Sequence, residues 1–100
     1  SRMDFRMAST VISPLFPMKK ITIYGKPGCG FCEAAKGLCT QIGAEYEYID
    51  VTTSDELMEQ HKQRQDQYQH YTVPLILADG EFVGGFTELQ AAYQNGRLAA

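Results

Sequence analysis

KPGCGFC, residues 26–32, places two cysteines three positions apart, immediately after an apolar segment. That segment, Lys20 to Tyr24 (KITIY), is rich in β-branched and aromatic residues and predicts a buried strand, which the following glycines and proline end. From Gly30 onward the apolar residues recur at a helical period, and Gly43 marks the end of the predicted helix. The positions that share its apolar face are Cys32, Ala35, Cys39 and Ile42. Cys29 is therefore predicted at the junction between a strand and the start of a helix.

A second strand and a second helix follow this unit. EYEYID, residues 45–50, alternates polar and apolar residues and predicts a strand that runs parallel to the first, because a helix connects the two. Thr53 and Glu56 fit a capping box at the start of an unusually polar helix that extends to about His70. The candidates for its buried side are Leu57, Met58 and Tyr68. We therefore expect this helix to cover the sheet thinly.

The last third of the chain predicts a hairpin and a helix. Residues 75–78 form a predicted buried strand, Asp79 and Gly80 a hairpin turn, and residues 81–84 a short antiparallel strand. A final helix is predicted to begin at Phe86 or Thr87 and to run to about residue 95. This order of elements predicts an α/β fold, a four-stranded mixed sheet flanked by helices on both faces.

Composition limits the function classes. The chain has 100 residues and 44% hydrophobic content, typical of one small soluble domain with a single core. Nine basic against twelve acidic residues give a net charge of −3, which predicts neither a nucleic-acid nor a membrane partner. No stretch approaches the roughly 20 apolar residues of a membrane span. Three cysteines cannot all pair within one chain, which favours a reducing compartment. We expect a cytoplasmic monomer.

Residues 1–17 precede the first predicted strand. Pro14 and Pro17 interrupt them, and they contain no continuous apolar core of the kind that a targeting peptide carries. We expect a flexible N-terminal extension, natural or left from cloning, followed by one folded domain over residues 18–100.

The predicted position of Cys29 has chemical consequences. Free N–H groups and the positive end of the helix dipole favour an anion, so the pKa of a thiol there should fall below the ordinary value of about 8.5. Lys26 can add a positive charge nearby. Cys32, one helical turn further on, lies within bonding distance of Cys29 but is less exposed. The pair is therefore interpreted as a nucleophile and a resolving thiol.

Other uses of the cysteines are less favoured. A zinc site needs about four ligands, and the further candidates are only Cys39, His61 and His70. A purely structural disulfide is disfavoured by the reducing compartment and the short loop. Cys39, on the apolar face of the first helix, is interpreted as a small buried hydrophobe. Both histidines are expected to be solvated.

Three motifs in this order resemble those of the glutaredoxins, a family within the thioredoxin-like superfamily. They are YGKPGCGFC at residues 24–32, TVP at 72–74 and VGGFTEL at 83–89. The resemblance covers residues 18–97 and implies a thioredoxin-like fold. It also implies a cis bond at Pro74, which would face the cysteine pair. The absence of tryptophan before Cys29 distinguishes the chain from thioredoxin itself.

The resemblance further implies a glutathione groove. Lys26 would meet the glycine carboxylate, Val73 would pair with the backbone of the cysteine portion, and Thr87 with Glu88 would hold the γ-glutamyl end. The implied glutathione-binding residues are Lys26, Phe31, Thr72, Val73, Pro74, Gly85, Thr87 and Glu88. The chain departs from the family in having Glu88 where Asp is usual. In addition, the family's contact from the second helix does not align to one residue.

The function that follows is a dithiol glutaredoxin with Cys29 and Cys32 as catalytic residues. Its partners would be glutathione, the reductant, and disulfide-bearing or glutathionylated proteins. One alternative is a glutaredoxin-like redoxin reduced by thioredoxin reductase. Another is a dimer that binds a [2Fe-2S] cluster through Cys29 and glutathione, suggested by Gly30 where dithiol members commonly have proline. No other metal ligand is predicted.

Overall fold

The computed structural model of the protein describes residues 18–99, so the expectation for residues 1–17 lies outside the described residues. Residues 18–99 contain four strands and three α-helices in the predicted order. They are β1 (Ile21–Gly25), α1 (Gly30–Ile42), β2 (Tyr46–Asp50), α2 (Asp55–Tyr68), β3 (Leu75–Ala78), β4 (Glu81–Gly84) and α3 (Phe86–Gln94). No helix among the described residues is long and apolar enough to span a bilayer.

The strands form one mixed sheet in the order β2-β1-β3-β4. β1 pairs with β2 in parallel, and β3 pairs antiparallel with both β1 and β4. The tight turn at Asp79 and Gly80 has positive φ at both residues, 49° and 84°, as a two-residue hairpin of this type requires. The predicted mixed sheet with a C-terminal hairpin is confirmed.

Side chains alternate between the two faces of the sheet along each strand, so the core consists of two parts, one on each face. Ile21, Ile23 and Ile76 point to the face covered by α1 and α3, where Cys39 and Leu89 are also fully buried. The opposite face carries a smaller cluster, to which α2 contributes little apolar surface. That cluster comprises Tyr24, Val51, Leu75 and Leu77, with Met58 and Tyr68 packed against it. The predicted thin cover by α2 is confirmed.

The predicted capping box at Thr53 and Glu56 is wrong. The N-cap of α2 is Ser54, whose hydroxyl accepts a hydrogen bond from the Leu57 N–H at 3.0 Å. Thr53 belongs to a short 3-10 turn, Val51–Thr53, and its hydroxyl donates instead to the Asp50 carbonyl at 2.8 Å. The threonine side chain is therefore committed to the preceding turn and cannot cap the helix.

Candidate active site

Cys29 and Cys32 form a disulfide at the start of α1, with their Cα atoms 5.2 Å apart. Cys29 is the N-cap of the helix, and its Sγ accepts a hydrogen bond from the Cys32 N–H at 3.1 Å. Cys32 is 0% exposed, whereas Cys29 is only half-buried. The strand-to-helix junction predicted for Cys29 is confirmed, and an attacking group can reach only one of the two sulfurs.

The loop before β3 lies against this disulfide. The Val73–Pro74 peptide bond is cis, as the resemblance implies, and the Val73 carbonyl oxygen is 3.8 Å from Cys29 Sγ. The loop therefore presents backbone groups beside the accessible sulfur.

A groove of about 160 Å³ separates this loop from the start of α3. We call it the α3 groove. It is lined by Phe31, His70, Thr72, Val73, Pro74, Gly85, Phe86, Thr87 and Glu88. The Phe31 ring stacks near Phe86, with centroids 6.2 Å apart, and remains 64% exposed at the rim. Of the eight residues implied for glutathione, only Lys26 lies outside this groove.

Lys26 lines a second cavity of about 430 Å³, on the other side of the loop, which we call the α2 cavity. The two cavities meet at Thr72 and Val73, which line both. The α2 cavity is lined by Lys26, Val51, Thr52, Met58, His61, Lys62, Gln65, Tyr71, Thr72 and Val73. The part of this lining that residues 18–99 provide contains two lysines and no carboxylate, so it favours an anionic group.

The sequence could not assign the expected contact between glutathione and the second helix to one residue. The lining of the α2 cavity reduces the number of candidates. His61, Lys62 and Gln65 are the three α2 residues with polar side chains beside Lys26. Residues 62 and 65 follow residue 61 by one and four positions, a helical spacing that could have indicated that the three share one face of α2. The polar composition of the whole helix concealed it, because most other positions are polar as well.

The expectation that both histidines are solvated is wrong. His61 is 3% exposed, and burial together with the nearby Arg64 guanidinium lowers its pKa. Its Nδ1 has no hydrogen-bond partner among residues 18–99. His70 is half-buried in the α3 groove, where its Nε2 lies 3.1 Å from the Pro74 carbonyl oxygen. Each ring lies near an aromatic side chain of the sheet, His61 near Tyr24 and His70 near Phe82, and the helical pattern alone does not encode these contacts.

Glu88 makes a contact within the protein. Its Oε1 accepts a hydrogen bond from the Gly85 N–H at 2.8 Å and so caps the first turn of α3. A Cβ on Gly84 would lie 2.8 Å from the Glu88 Cβ, so glycine is needed where the side chain folds back. The longer carboxylate therefore reaches the backbone of its own helix terminus.

Cys39 plays no part in this site. It lies on the buried face of α1, and burial raises the pKa of its thiol to about 11. The interpretation of Cys39 as a buried hydrophobe is confirmed.

Comparison with known proteins agrees with this geometry. The glutaredoxin family model matches residues 21–83. The glutaredoxin of Ricinus communis is 26% identical over 92 residues, which cover 92% of this chain and 90% of that protein. The solution structure of glutaredoxin from Brucella melitensis is 33% identical with a TM-score of 0.64, covering 85% of this chain and 89% of that chain.

The fold is shared more widely. The crystal structure of a buckwheat glutaredoxin-glutathione complex has a TM-score of 0.71 at 24% identity, covering 78% of this chain and 71% of that chain. The predicted thioredoxin-like fold is confirmed. Because the family model spans more than half of the chain and includes the Cys29–Cys32 pair, the protein belongs to the glutaredoxin family of thiol-disulfide oxidoreductases.

Proposed function

We propose that the protein reduces protein disulfides and glutathionylated proteins by a dithiol mechanism, with glutathione as the reductant. The main support for this mechanism is the difference in exposure between the two cysteines of the disulfide. Cys29 is half-buried beside the Val73 carbonyl, and Cys32 is fully buried. A purely structural disulfide does not need one accessible sulfur next to an open groove, whereas an exchange reaction does.

Cys29 is the proposed nucleophile. Its position as the N-cap of α1 directs the Cys32 N–H at its sulfur and places it at the positive end of the helix dipole, so both interactions favour the thiolate. The thiolate attacks one sulfur of the substrate disulfide, which forms a mixed disulfide and releases the first substrate thiolate.

Cys32 is the proposed resolving thiol. It attacks the Cys29 sulfur of the mixed disulfide, releases the second substrate thiolate and closes the disulfide seen in the structure. Two glutathione molecules then reduce this disulfide and leave as glutathione disulfide, so that two electrons pass from glutathione to the substrate. For a glutathionylated substrate, Cys29 attacks the glutathione sulfur, and a second glutathione can resolve the mixed disulfide without Cys32.

The two cavities support one orientation of glutathione. Its glycine carboxylate would lie in the α2 cavity with Lys26 and Lys62, the two lysines of that lining. Its cysteine portion would pass Val73 beside Cys29, and its γ-glutamyl end would enter the α3 groove with Thr87 and Glu88. A negative group then meets lysines at one end, and a positive amine meets a carboxylate at the other.

The test is a glutathione-coupled assay on three cysteine variants. Cys29→Ser should abolish activity on every disulfide, and Cys32→Ser should retain part of the activity on a glutathionylated peptide while losing activity on a protein disulfide. Cys39→Ala is the matched control and should retain both activities, because Cys39 lies outside the site. Substantial turnover by Cys29→Ser would contradict the mechanism. Faster reduction by thioredoxin reductase than by glutathione would favour the redoxin alternative.

A [2Fe-2S] dimer is the second candidate, and the surface around Cys29 favours it. Gly30 is exposed next to the half-buried Cys29, and glycine places no side chain between Cys29 and a second subunit at this position. One accessible cysteine per subunit fits a cluster held by two Cys29 thiolates and two glutathione thiolates, which would supply the four sulfur ligands such clusters use.

Anaerobic reconstitution with iron, sulfide and glutathione tests this candidate. A coloured dimer is expected from the wild-type protein, and Gly30→Pro should reduce cluster loading while it keeps disulfide reductase activity, since proline is tolerated in the first turn of a helix. A colourless monomer from the wild-type protein would exclude cluster binding under these conditions and would leave the redox function untouched.

A further inference from the structure

His70 touches both walls of the α3 groove. It lies two residues before the loop at residues 72–74, and its ring packs edge-on against Phe82, with centroids 5.5 Å apart and an interplanar angle of 64°. A Cβ on Gly85 would lie 3.6 Å from His70 Cε1. The imidazole therefore fills the space between the loop and the chain segment that leads into α3.

The polar edge of the ring is turned toward the loop. Nε2 lies 3.1 Å from the Pro74 carbonyl oxygen and 3.4 Å from Thr72 Oγ1. A carbonyl oxygen can only accept a hydrogen bond, so Nε2 must carry the proton in this contact. The hydrogen bond thus selects one tautomer of the neutral ring.

The Pro74 carbonyl needs such a donor. Pro74 is buried, and the paired residues of β3 begin only at Leu75, opposite Tyr24, and at Ile76, opposite Gly84. The Pro74 carbonyl thus lies just before the first residues of β3 that pair with β1 and β4. A buried carbonyl without a hydrogen-bond donor destabilises the folded protein. His70 therefore supplies the hydrogen bond that a neighbouring strand supplies to carbonyls further along β3.

We propose that His70 is a positioning residue for the glutathione groove. Its Nε2–H holds the Pro74 carbonyl, and its ring keeps the loop at a fixed distance from Gly85. This inference deepens the proposed function, because it concerns how the same groove selects γ-glutamyl disulfides. The residue acts through the loop: it fixes Val73, which lies beside Cys29, without itself exchanging electrons or protons with the substrate.

Two substitutions separate the donor from the ring. His70→Phe keeps an aromatic ring against Phe82 but removes the donor, and His70→Gln keeps an N–H group at a similar reach without the ring. We expect His70→Phe to raise the KM for a glutathionylated peptide about ten-fold with kcat within about two-fold, and His70→Gln to restore KM to within about three-fold. Gln67→Leu, at an exposed position of α2, is the control and should match the wild-type protein.

A second substrate distinguishes positioning from general damage. In a single turnover of the pre-reduced protein with bis(2-hydroxyethyl) disulfide, which has no γ-glutamyl group, His70→Phe should lose markedly less rate than it loses on the glutathionylated peptide. If His70→Phe does not fold, His70→Asn, whose amide is too short to reach Pro74, takes its place and should show the same rise in KM.

The outcomes separate this inference from the proposed function. A KM within two-fold of the wild-type value for the donor-less variant would overturn the role of His70, as would an equal loss on both substrates. Failure of the wild-type protein to use glutathione at all would instead overturn the proposed function, and this inference with it.

Discussion

Gly25, the last residue of β1, lies directly behind the disulfide, and Gly25→Ala is expected to destabilise the protein. A Cβ at this position would be 2.7 Å from Cys32 Sγ and 2.7 Å from the Tyr48 hydroxyl oxygen. Ordinary contacts between heavy atoms require about 3.5–4.0 Å, so both neighbours, or the backbone of β1 itself, must shift by about an ångström. Cys32 is fully buried at the start of α1, and the Tyr48 hydroxyl donates to the Lys26 carbonyl at 3.3 Å.

The expected cost of overpacking is about 1–3 kcal/mol in the free energy of unfolding. For a domain of this size each kcal/mol corresponds to about 4–8 °C in Tm. Because the displaced sulfur belongs to Cys32, the proposed resolving cysteine, reduction of protein disulfides should fall more than turnover of a glutathionylated peptide, which in the proposed mechanism needs only Cys29 and glutathione.

Urea denaturation of the wild-type protein, Gly25→Ala and Gly37→Ala provides the measurement and its control. Gly37 lies in the interior of α1, and a Cβ there would meet no atom within 4 Å. Alanine at residue 37 should therefore stabilise the protein by about 0.5–1 kcal/mol, the helix-propensity difference between the two residues. If Gly25→Ala unfolds at the same urea concentration as the wild-type protein, or above it, the inferred contact with Cys32 is wrong.

Three further predictions concern single side chains. With the pKa of Cys39 raised to about 11, only about one molecule in a thousand carries its thiolate at pH 8, so mass spectrometry of the reduced protein after iodoacetamide should find Cys29 labelled and Cys39 unlabelled until the protein is denatured. Burial lowers the pKa of His61, so the unfolded chain binds a proton that the folded protein resists. Stability should therefore fall as the pH drops below about 6.5 and level off below the folded-state pKa, and a steep fall that persists in His61→Gln would point to another group. Glu88→Ala should lower the free energy of unfolding by about 0.5–2 kcal/mol through loss of the cap on Gly85, Glu88→Gln should cost less, and equal thermal stability of all three proteins would show that the cap is unimportant.

Local signals explain why the cysteine pair and the hairpin could be predicted from the sequence. The glycines and proline after β1 and the apolar period of α1 specify a strand-to-helix junction at Cys29 without reference to the rest of the chain. The Asp79 and Gly80 pair likewise specifies a tight turn between short strands. Both features depend on residues that are close in sequence, so tertiary contacts did not alter them.

The wrong predictions concern a position where two local signals compete and residues that are buried by contacts distant in sequence. Thr53 and Ser54 are both good N-cap residues, and only the hydrogen bond of Thr53 to Asp50 in the preceding turn decides between them. His61 lies in a helix of low hydrophobicity, yet its ring centroid is 6.4 Å from that of Tyr24 on β1, one of the two inner strands. No periodic pattern within α2 reveals a partner that is 37 positions earlier in the chain.

The two cavities that meet at Thr72 and Val73 differ in charge, and this difference bears on substrate choice. Among residues 18–99, the α2 cavity has Lys26 and Lys62 in its lining and no carboxylate, whereas the α3 groove contains Glu88, whose carboxylate is partly committed to the Gly85 N–H. A disulfide ligand with an anionic end and a cationic end therefore has one favourable direction across the loop, and the reverse direction brings like charges together. Peptide disulfides without such ends would have only backbone and apolar contacts to orient them. We infer that the charge pattern favours glutathione-containing disulfides over general protein disulfides, through orientation beside Cys29 and without any further contact to the reacting sulfurs.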